Sequence, residues 1–403
     1  MGPMGIAESV TPPLYVVGMR ILHTSDWHLG RSLHGQSLLE GQAAFIDFLV
    51  DVVRTESVDV VLVAGDLYDR AIPPVAAVEL FSQALSRIAA LGTPIVLTSG
   101  NHDSAARLGF GTELIAAAGV HLRTDVARVA EPVVLTDRHG PVAIYPLPYL
   151  EPELTWTALG APAARHEAVL AAAMQAVRAD VAGRPADTRV VVTAHAFVAG
   201  VAAARPSDSE RDISVGGSAL AAASVFEGVH YAALGHLHQF QQPVPGRVVY
   251  SGSPLAYSFS EEGQTKSVTI VDLAADGSTT LEQIACPVVR PLARISGPLD
   301  SLLTDSRWAG FEQHWLSITL TDAHLPAEPM DRLRARFPGV LQLTVTAHRS
   351  GTSGSYVERL EGLDDLGLVG RFIEDMWNRP PRADELALVQ AGFEAQRLRE
   401  VRS

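Results

Sequence analysis

The sequence predicts an α/β protein: a sandwich of sheets flanked by helices, followed by a small α+β domain and a helical C-terminal tail. Three observations predict this fold. Short, continuous apolar runs recur in the first 240 residues and are typical of strands buried on both faces. Two stretches with helical spacing lie between the first three runs. After residue 288 the pattern changes to shorter, alternating elements.

Five apolar runs in the front part each end in polar residues. They span 20–23, 58–64, 94–98, 190–194 and 231–234. In the stretches 36–55 and 75–88, apolar side chains recur every three or four residues, which predicts helices. Alternating strands and helices imply a largely parallel sheet, and ligands bind outside the carboxyl ends of the strands in such sheets. The polar residues that follow the runs therefore mark the expected site.

The chain from about Val229 onward has a different character. Short strands at 248–250, 267–273 and 281–285 predict a mixed or antiparallel second sheet, which completes a domain over 19–288. Strands at 292–295, 315–320 and 341–346 then alternate with helices at 299–308 and 330–337, which predicts a small α+β domain over 289–348. In its second helix Arg332 and Arg336 share a face, with Arg334 nearby; they form either a phosphate contact or a solvated surface.

The two ends of the chain are predicted to lie outside these domains. Residues 1–18 form an N-terminal extension, and 349–367, rich in Gly, Ser and charge, form a linker. The tail, 368–403, carries apolar residues at near-helical spacing, namely Leu368, Phe372, Met376, Trp377, Leu386, Val389, Phe393 and Leu398. Such stripes usually pack on their own domain, but after a linker they also suit docking onto a partner helix.

Composition limits the function classes. With Cys286 as its single cysteine, the chain forms no intramolecular disulfide, and it has no apolar run long enough to span a bilayer, so we expect a cytoplasmic protein. The net charge of −14 is unusual for a protein that holds nucleic acid. The last 115 residues have 14 basic and 16 acidic side chains, a net −2, which leaves −12 for the first 288. Bound divalent cations would offset part of that charge.

The polar residues at the strand ends are candidate metal ligands. Taken singly, most are better explained by structure: a chance Asp-x-His is common, an acidic residue caps turns, and a lone histidine is usually part of the core. Taken together, five strand ends supply seven ligand-type side chains to one edge of a sheet, and these are Asp26, His28, Asp66, Asn101, His195, His236 and His238. The neighbouring His102 and Asp103 belong to the same turn as Asn101.

The chemistry of this set favours two metal ions. Carboxylate and amide oxygens mixed with imidazoles, without thiolates, suit manganese, iron or zinc. Seven ligands are too many for one tetrahedral ion but suit two ions that share a bridging carboxylate. Paired metals about 3.5–4 Å apart promote in-line displacement at phosphorus, so phosphoester hydrolysis is the expected reaction.

The same segments resemble a known family. Five segments match, in order, the five motifs of the calcineurin-like metallophosphoesterases. They are Asp26-Trp27-His28, the 65–69 segment GDLYD, the 100–103 segment GNHD, Ala194-His195 and the 235–238 segment GHLH. A closer resemblance is to the nuclease subunits of bacterial double-strand-break repair complexes. It is found in the segments 23–30, 250–254 and 266–268 and in Ser258-Phe259. The likeness is specific from Met19 to about Leu273.

The resemblance implies roles for the candidate residues. One metal would be held by Asp26, His28, Asp66 and His238, and the other by Asp66, Asn101, His195 and His236. His102 would sit over the scissile phosphate, stabilising charge or protonating the departing oxygen, and Asp103 would orient the His102 ring. The expected cofactors are two divalent ions, Mn²⁺ first and Mg²⁺ as the alternative. Archaeal and eukaryotic relatives have histidine where this chain has Asp69, so the role of Asp69 stays open.

The resemblance also implies a substrate and partners. It predicts a DNA nuclease, a 3'-to-5' exonuclease on duplex ends and an endonuclease on single strands and hairpins. The chain would pair with itself through the nuclease domain and bind, through its tail, a coiled-coil ATPase, SbcC, in a complex with two copies of each subunit. The small domain would cap DNA. Two rival interpretations remain: a phosphoesterase acting on small phosphodiesters or cyclic nucleotides, and a DNA-tethering scaffold with an inactive site.

Overall fold

The structure is a computed structural model that describes residues 18–200, 206–210, 220–346, 362–377 and 379–400. Residues 1–17 of the predicted N-terminal extension and most of the predicted linker lie outside the described residues. The chain divides into two compact units, Met1–Ala293 and Arg294–Ser403.

Within the described residues, the first unit is a mixture of strands and helices. Its strands are β1 (Met19–Thr24), β2 (Ser32–Leu33), β3 (Gln36–Ser37), β4 (Val60–Ala64), β5 (Ile95–Thr98), β6 (Val120–Arg123), β7 (Val133–Asp137), β8 (Gly140–Leu147), β9 (Arg189–His195), β10 (Val198–Ala199), β11 (Ala221–Ala222), β12 (Tyr231–Gly235), β13 (Gln241–Val244), β14 (Val248–Tyr250), β15 (Ser267–Leu273) and β16 (Thr279–Ala285). Its α-helices are α1 (Leu39–Thr55), α2 (Val75–Ala89), α3 (Ala105–Leu108), α4 (Thr112–Ala116), α5 (Pro152–Thr155) and α6 (His166–Val181).

The first large sheet has the strand order β16-β15-β1-β4-β5-β6. Strands β1, β4, β5 and β6 run parallel, as the alternation of strands and helices predicts. All five residues of β4 are buried, which matches its uninterrupted Val/Leu sequence. The prediction for the last two strands was wrong: β15 and β16 extend this first sheet, with β15 antiparallel to β1, and do not join the second.

The second large sheet has the order β13-β14-β12-β9-β8-β7 and is mixed, as predicted. Its four central strands are parallel, and β13 and β7 are antiparallel edges. The two sheets pack face to face, and their inner side chains, among them Ile21, Leu62, Val191, Tyr231 and Val271, form one apolar layer. Each fully buried aliphatic side chain of this kind stabilises the fold by about 1.5–3 kcal/mol.

Helices cover the outer faces of the sandwich. Helices α1 and α2 pack on the first sheet through side chains such as Phe45, Ile46 and Phe81, and α6 packs on the second through Val169 and Met174. The α/β sandwich flanked by helices is therefore confirmed.

Helix α1 begins at Leu39, three residues later than predicted, because Gln36–Ser37 pairs with Ser32–Leu33 in a small hairpin.

The second unit is the predicted α+β arrangement. Its strands β17 (Leu292–Gly297), β18 (Trp315–Leu320) and β19 (Val340–Val345) form one sheet, with helices α7 (Leu299–Thr304) and α8 (Pro329–Arg336). Helix α7 ends four residues earlier than predicted, because the Asp305 side chain accepts from the Arg307 N–H and starts a separate 3-10 turn. Of the arginines weighed as phosphate contacts or solvated surface, Arg332 and Arg336 form ion pairs with Asp300 and Glu312.

Among the residues that the structure describes after β19, two helices follow, Asp365–Trp377 and Ala383–Glu400. The first begins inside the predicted linker and exposes the side chains of Leu368, Phe372 and Met376, of which 37%, 57% and 65% are accessible. In the part of the chain that the structure describes, no helix combines the length and the apolar character that crossing a bilayer requires.

Candidate metal centre

The candidate ligands lie in turns that follow five parallel strands. Asp26 and His28 follow β1, Asp66 follows β4, and Asn101 follows β5. His195 is the last residue of β9, and His236 and His238 come directly after β12. The turns after β1 and β4 stay paired beyond the strands: Asp26 donates its N–H to the Gly65 carbonyl, and His28 to that of Asp66. The carboxyl ends of strands from both sheets thus meet at one site, and the prediction that all seven ligands lie at the edge of a single sheet was wrong.

The side chains come within metal-sharing distance of one another. The ligand atoms of Asp26, His28 and His238 lie within 4.8 Å of each other, as do those of Asp26, Asp66 and His195. Asp66 Oδ2 lies between two imidazoles, 3.5 Å from His28 Nε2 and 3.4 Å from His195 Nε2. Asn101 Oδ1 is 2.8 Å from His195 Nε2. Two adjoining clusters therefore share Asp26, and Asp66 reaches toward both.

His236 joins the site in a different way from the other six residues. Its backbone N–H donates to both oxygens of Asp26, at 3.1 and 3.2 Å. Its ring packs against the rings of His195 and Phe197, with centroids 5.4 and 5.7 Å away. Within the described ranges it belongs to neither of these two clusters. The structure thus brings the His236 ring next to a cluster and ties its backbone to a shared carboxylate.

Backbone strain is concentrated at the candidate ligands. Asp26, His28, Asp66 and His236 have φ values of 53, 44, 49 and 109°, in a region that side-chain-bearing residues rarely adopt. Each such residue costs roughly 1–3 kcal/mol. Strain of this kind persists where the surrounding structure holds it for function, and here it aims side chains from tight turns into one cavity.

Close packing around Asp66 requires glycine at position 100. A Cβ at Gly100 would overlap the Asp66 carboxylate and its backbone nitrogen. A Cβ at Gly65, which has a φ of 82°, would lie 2.5 Å from His195 Nδ1. The turns after β4 and β5 therefore approach each other too closely for a side chain at position 100, and the turn after β4 approaches His195 too closely for one at position 65.

Burial sets the charge state of the centre. It lowers the pKa values of the His28, His195, His236 and His238 rings, so these rings are neutral. Burial, and then repulsion from Asp66, raises the pKa of Asp26. Neutral imidazoles and crowded carboxylates are the forms that bind divalent cations, because each offers a lone pair.

The contacts of His195 fit a bound cation. Its Nδ1 is 3.0 Å from the Ala64 carbonyl oxygen, and its Nε2 is 2.8 Å from Asn101 Oδ1. Both neighbours are acceptors, but a neutral ring carries one proton and can donate to only one of them. At the ring nitrogen without a proton, the lone pair of His195 faces the lone pair of its acceptor neighbour. Asp66 Oδ2, 3.4 Å from Nε2, adds a further acceptor. That arrangement is unfavourable in a buried site unless a cation lies between the atoms.

The predicted contact between Asp103 and the His102 ring was wrong. His102 Nδ1 lies 2.8 Å from the backbone carbonyl oxygen of Asp69, to which it donates. The Asp103 carboxylate accepts three backbone N–H groups instead, from Leu67, Tyr68 and Gly100 at 2.9–3.0 Å. Asp103 therefore ties the turns after β4 and β5 together, and the His102 ring is oriented by a main-chain atom.

Four further residues around His238 were not predicted from the sequence as parts of the site. The His238 N–H donates to Glu210 Oε1 at 2.6 Å, and its Nδ1 lies 2.6 Å from Ser209 Oγ. Glu261 and Lys266 lie behind Ser209. The sequence offered one signal for this part of the site: Lys266 is the single lysine among 31 basic residues, which indicates a position where arginine does not fit. The structure shows that Lys266 is buried.

Gly100→Ala is expected to disturb the centre. The added methyl group must displace Asp66, at a cost of about 1–3 kcal/mol in unfolding free energy. We therefore expect a lower Tm in the metal-free protein and less than the wild-type metal content after dialysis. Gly310→Ala is the matched control, because a Cβ there meets no atom within 4 Å. Full metal content in Gly100→Ala would contradict the packing described above.

Comparisons with known proteins agree with the geometry. A family model for calcineurin-like phosphoesterases matches residues 19–240, and a second one, SbcD_C, described as the type 5 capsule protein repressor C-terminal domain, matches residues 288–376.

Solved structures with some likeness include TT1561 of Thermus thermophilus, at 14% identity and a TM-score of 0.37, covering 66% of this chain and 98% of that one. GAP50, the anchor in the inner membrane complex of Plasmodium, has 12% identity and a TM-score of 0.37, with 83% and 99% covered. A novel archaeal phosphodiesterase has 14% identity and a TM-score of 0.30, with 66% and 100% covered. Because the first family model spans more than half of the sequence, this chain belongs to the calcineurin-like phosphoesterases, metal-dependent hydrolases that act on phosphoesters.

Proposed function

We propose that this chain is the nuclease subunit of a bacterial DNA double-strand-break repair complex of the SbcD type. It cleaves DNA phosphodiester bonds with two divalent ions, as a 3'-to-5' exonuclease on duplex ends and as an endonuclease on single strands and hairpins. ATP is used by its cytoplasmic partner SbcC, in a complex with two copies of each subunit, and the nuclease domain pairs with a second copy of itself.

The convergence of buried carboxylates and imidazoles carries the proposal. One ion is assigned to Asp26, His28, Asp66 and His238, and the other to Asp66, Asn101, His195 and His236. When bound, the pair would supply an acidified water and neutralise charge on the phosphate. The acceptors Asn101 Oδ1 and Asp66 Oδ2, at 2.8 and 3.4 Å from His195 Nε2, support two-metal hydrolysis over an inactive scaffold.

His102 is assigned to the leaving group. Its Nδ1 donates to the Asp69 carbonyl, which fixes the ring and leaves Nε2 as the atom that can meet a phosphate oxygen. A proton on Nε2 would pass to the departing 3' oxygen of the DNA. The rings of His102 and His28 lie edge to face with centroids 4.7 Å apart, and the ligand atoms of His28, Asp69 and His102 lie within 4.8 Å of one another. We assign His102 to the leaving group and not to a metal ion.

DNA as the substrate is supported by the second unit. The match of residues 288–376 to the SbcD_C model associates this chain with that branch of the phosphoesterases. The acidity of the first 288 residues includes the carboxylates assigned to metal, so loading two divalent ions removes part of the obstacle to binding a polyanion. A small-molecule phosphoesterase has less reason to keep this unit and the helices that follow it.

The exposed apolar side chains of the helix Asp365–Trp377 are the proposed contact with SbcC. Replacing both Phe372 and Met376, which are 57% and 65% exposed, by Ala is expected to weaken co-purification of SbcC at least about tenfold, since each exposed apolar side chain buried at an interface contributes about 1.5–3 kcal/mol. Truncation after Gly362 removes the whole helix and should abolish the interaction. Glu374→Ala, on the same helix, is the control. SbcC retained at full strength by the truncated chain would contradict this assignment.

One assay separates the candidate functions. The purified protein, with and without SbcC, is tested with Mn²⁺ on hairpin DNA and on bis(p-nitrophenyl) phosphate. The proposal predicts hydrolysis of both, with DNA cleavage stimulated by SbcC and ATP. Hydrolysis of the small diester alone under all conditions would favour a small-molecule phosphoesterase. Activity on neither substrate, in protein with full metal content, would favour a tethering scaffold.

A further inference from the structure

The ring of His238 is held by a chain of polar side chains that leads away from the candidate metal centre. His238 Nδ1 lies 2.6 Å from Ser209 Oγ, and that hydroxyl lies 2.5 Å from Glu261 Oε1. Lys266 Nζ is 2.5 Å from the other carboxylate oxygen of Glu261. All four side chains are buried, with at most 8% of each residue exposed. The proposed reaction assigns no role to the three residues behind His238.

The positions of the protons in this chain follow from its charges. The Lys266 ammonium keeps Glu261 ionised, so Glu261 can only accept hydrogen bonds. Ser209 has a single hydroxyl proton and donates it to Glu261. Its oxygen can therefore only accept from His238, whose Nδ1 must carry the ring proton. The lone pair of the neutral ring is then on Nε2, which lies 3.1 Å from His28 Nε2 and belongs to the cluster with Asp26.

The Ser209 hydroxyl has one further polar neighbour besides His238 and Glu261. Ser207 Oγ also lies near the Ser209 hydroxyl, at 2.8 Å, and supplies it with a second donor. The hydroxyl of Ser209 is thus used fully: it donates once and accepts twice.

The backbone of His238 is fixed by the same residues. Lys266 Nζ donates to its carbonyl oxygen at 2.7 Å, and Glu210 Oε1 accepts from its N–H at 2.6 Å. Lys266 also reaches Gln264 Oε1 at 3.2 Å, so its compact ammonium serves three acceptors in an enclosed space. A planar guanidinium cannot direct its donors in this way, which explains a lysine here in an arginine-rich chain.

We propose that Ser209 and Glu261 are positioning residues that fix His238 in the tautomer with its lone pair on Nε2, and thereby set the cation affinity of the Asp26–His28–His238 cluster. The inference rests on the proposed function, because it takes His238 as a ligand. Groups that hydrogen-bond to metal-binding histidines typically alter metal affinity by about 10- to 100-fold. The other cluster, which contains His195, receives no support from Ser209 and should keep its affinity.

The test measures the tautomer and the affinity separately. In metal-free protein, ¹⁵N-edited NMR of the His238 ring, assigned by its loss in His238→Gln, should show the proton on Nδ1. Ser209→Ala should lower the population of that tautomer. Glu261→Gln with Lys266→Met, a neutral pair, lets Ser209 donate to Nδ1 and should shift the proton to Nε2. Ser260→Ala removes a hydroxyl that accepts from the Asp208 N–H and donates to Ser258 Oγ, and it should leave the tautomer as in the wild type.

Titration with Mn²⁺ alone supplies the second readout. Wild-type protein and Ser260→Ala should bind two ions, and Ser209→Ala should bind one of them about 10- to 100-fold more weakly, with the other unchanged. Melting temperatures of the metal-free variants verify that each one is folded. Two wild-type affinities in Ser209→Ala, or an unchanged tautomer in both altered proteins, would overturn the inference alone. A wild-type protein that binds no Mn²⁺ would overturn the proposed function, and this inference with it.

Discussion

Asp66→Asn is expected to reduce nuclease activity by about 10³-fold or more and to lower the metal content below two ions per chain. Asp66 is the proposed bridge, with one carboxylate oxygen 3.5 Å from His28 Nε2 and 3.4 Å from His195 Nε2. An amide keeps the size of the side chain but loses the negative charge that two adjacent cations require. Several kcal/mol of transition-state stabilisation depend on those cations, and each 1.36 kcal/mol is a factor of about ten in rate.

In metal-free protein, by contrast, Asp66→Asn should raise the melting temperature. Without cations, the buried carboxylates of Asp26 and Asp66 repel each other, which contributes to the raised pKa of Asp26. Asp66→Asn relieves that repulsion and can still accept the His102 N–H through Oδ1, so Tm should rise in the presence of chelator. With excess Mn²⁺ the order should reverse, because binding stabilises only the protein that holds the ions.

Asp47→Asn is the matched control for metal content. Asp47 lies on helix α1, its side chain is 68% exposed, and it pairs with Arg87 at 2.6 Å. We expect Asp47→Asn to keep both ions. Equal loss of metal in the two variants would remove Asp66 from its bridging role, and full metal content and activity in Asp66→Asn would contradict the two-metal assignment.

The ends of the buried strands were predictable because burial on both faces requires an uninterrupted run of apolar residues in the sequence. A strand covered on both faces, such as β4, reads as an uninterrupted apolar run, and the first polar residues after it must lie at the edge of the sheet. The convergence of Asp26 and Asp66 follows from that rule, since β1 and β4 are parallel neighbours in one sheet. His195 ends β9 in the second sheet, so its place within 4.8 Å of those two carboxylates depends on the face-to-face packing of the two sheets, which strand order and direction do not encode.

Other features depend on contacts between distant parts of the chain, which no local pattern encodes. Nothing in 267–273 tells which sheet it joins; β15 pairs with β1 because both bury their inner faces in the same layer. Strand β8 was not predicted, because its sequence contains two prolines, which are unusual inside a sheet. In the structure Pro146 nevertheless lies opposite a residue of the parallel strand β9. Ser209 supports His238 across 29 residues of sequence, and a short polar segment gives no sign of such a partner.

His102→Gln is expected to keep both ions and yet to lower DNA cleavage by about 10²-fold or more. Its Nδ1 contact with the Asp69 carbonyl can be replaced by the glutamine amide, so the turn should survive. Glutamine cannot release a proton, and a positioned acid typically contributes about 10²–10⁴-fold to the rate. Metal content after dialysis and initial rates on duplex ends with Mn²⁺ are the measurements. His324→Gln, an exposed histidine of the second unit, makes the same chemical change as a control.

The leaving group distinguishes between the two ways in which His102 could act. Departure of a DNA 3' oxygen leaves a basic alkoxide that needs a proton, whereas nitrophenolate is stable without one. If His102 is the acid, His102→Gln should lose far more activity on DNA than on bis(p-nitrophenyl) phosphate. An equal loss on both substrates would mean that the ring stabilises charge on the phosphate oxygens, since that charge develops with either leaving group. Wild-type activity on DNA would remove His102 from the reaction altogether and leave its bond to Asp69 as a purely structural contact.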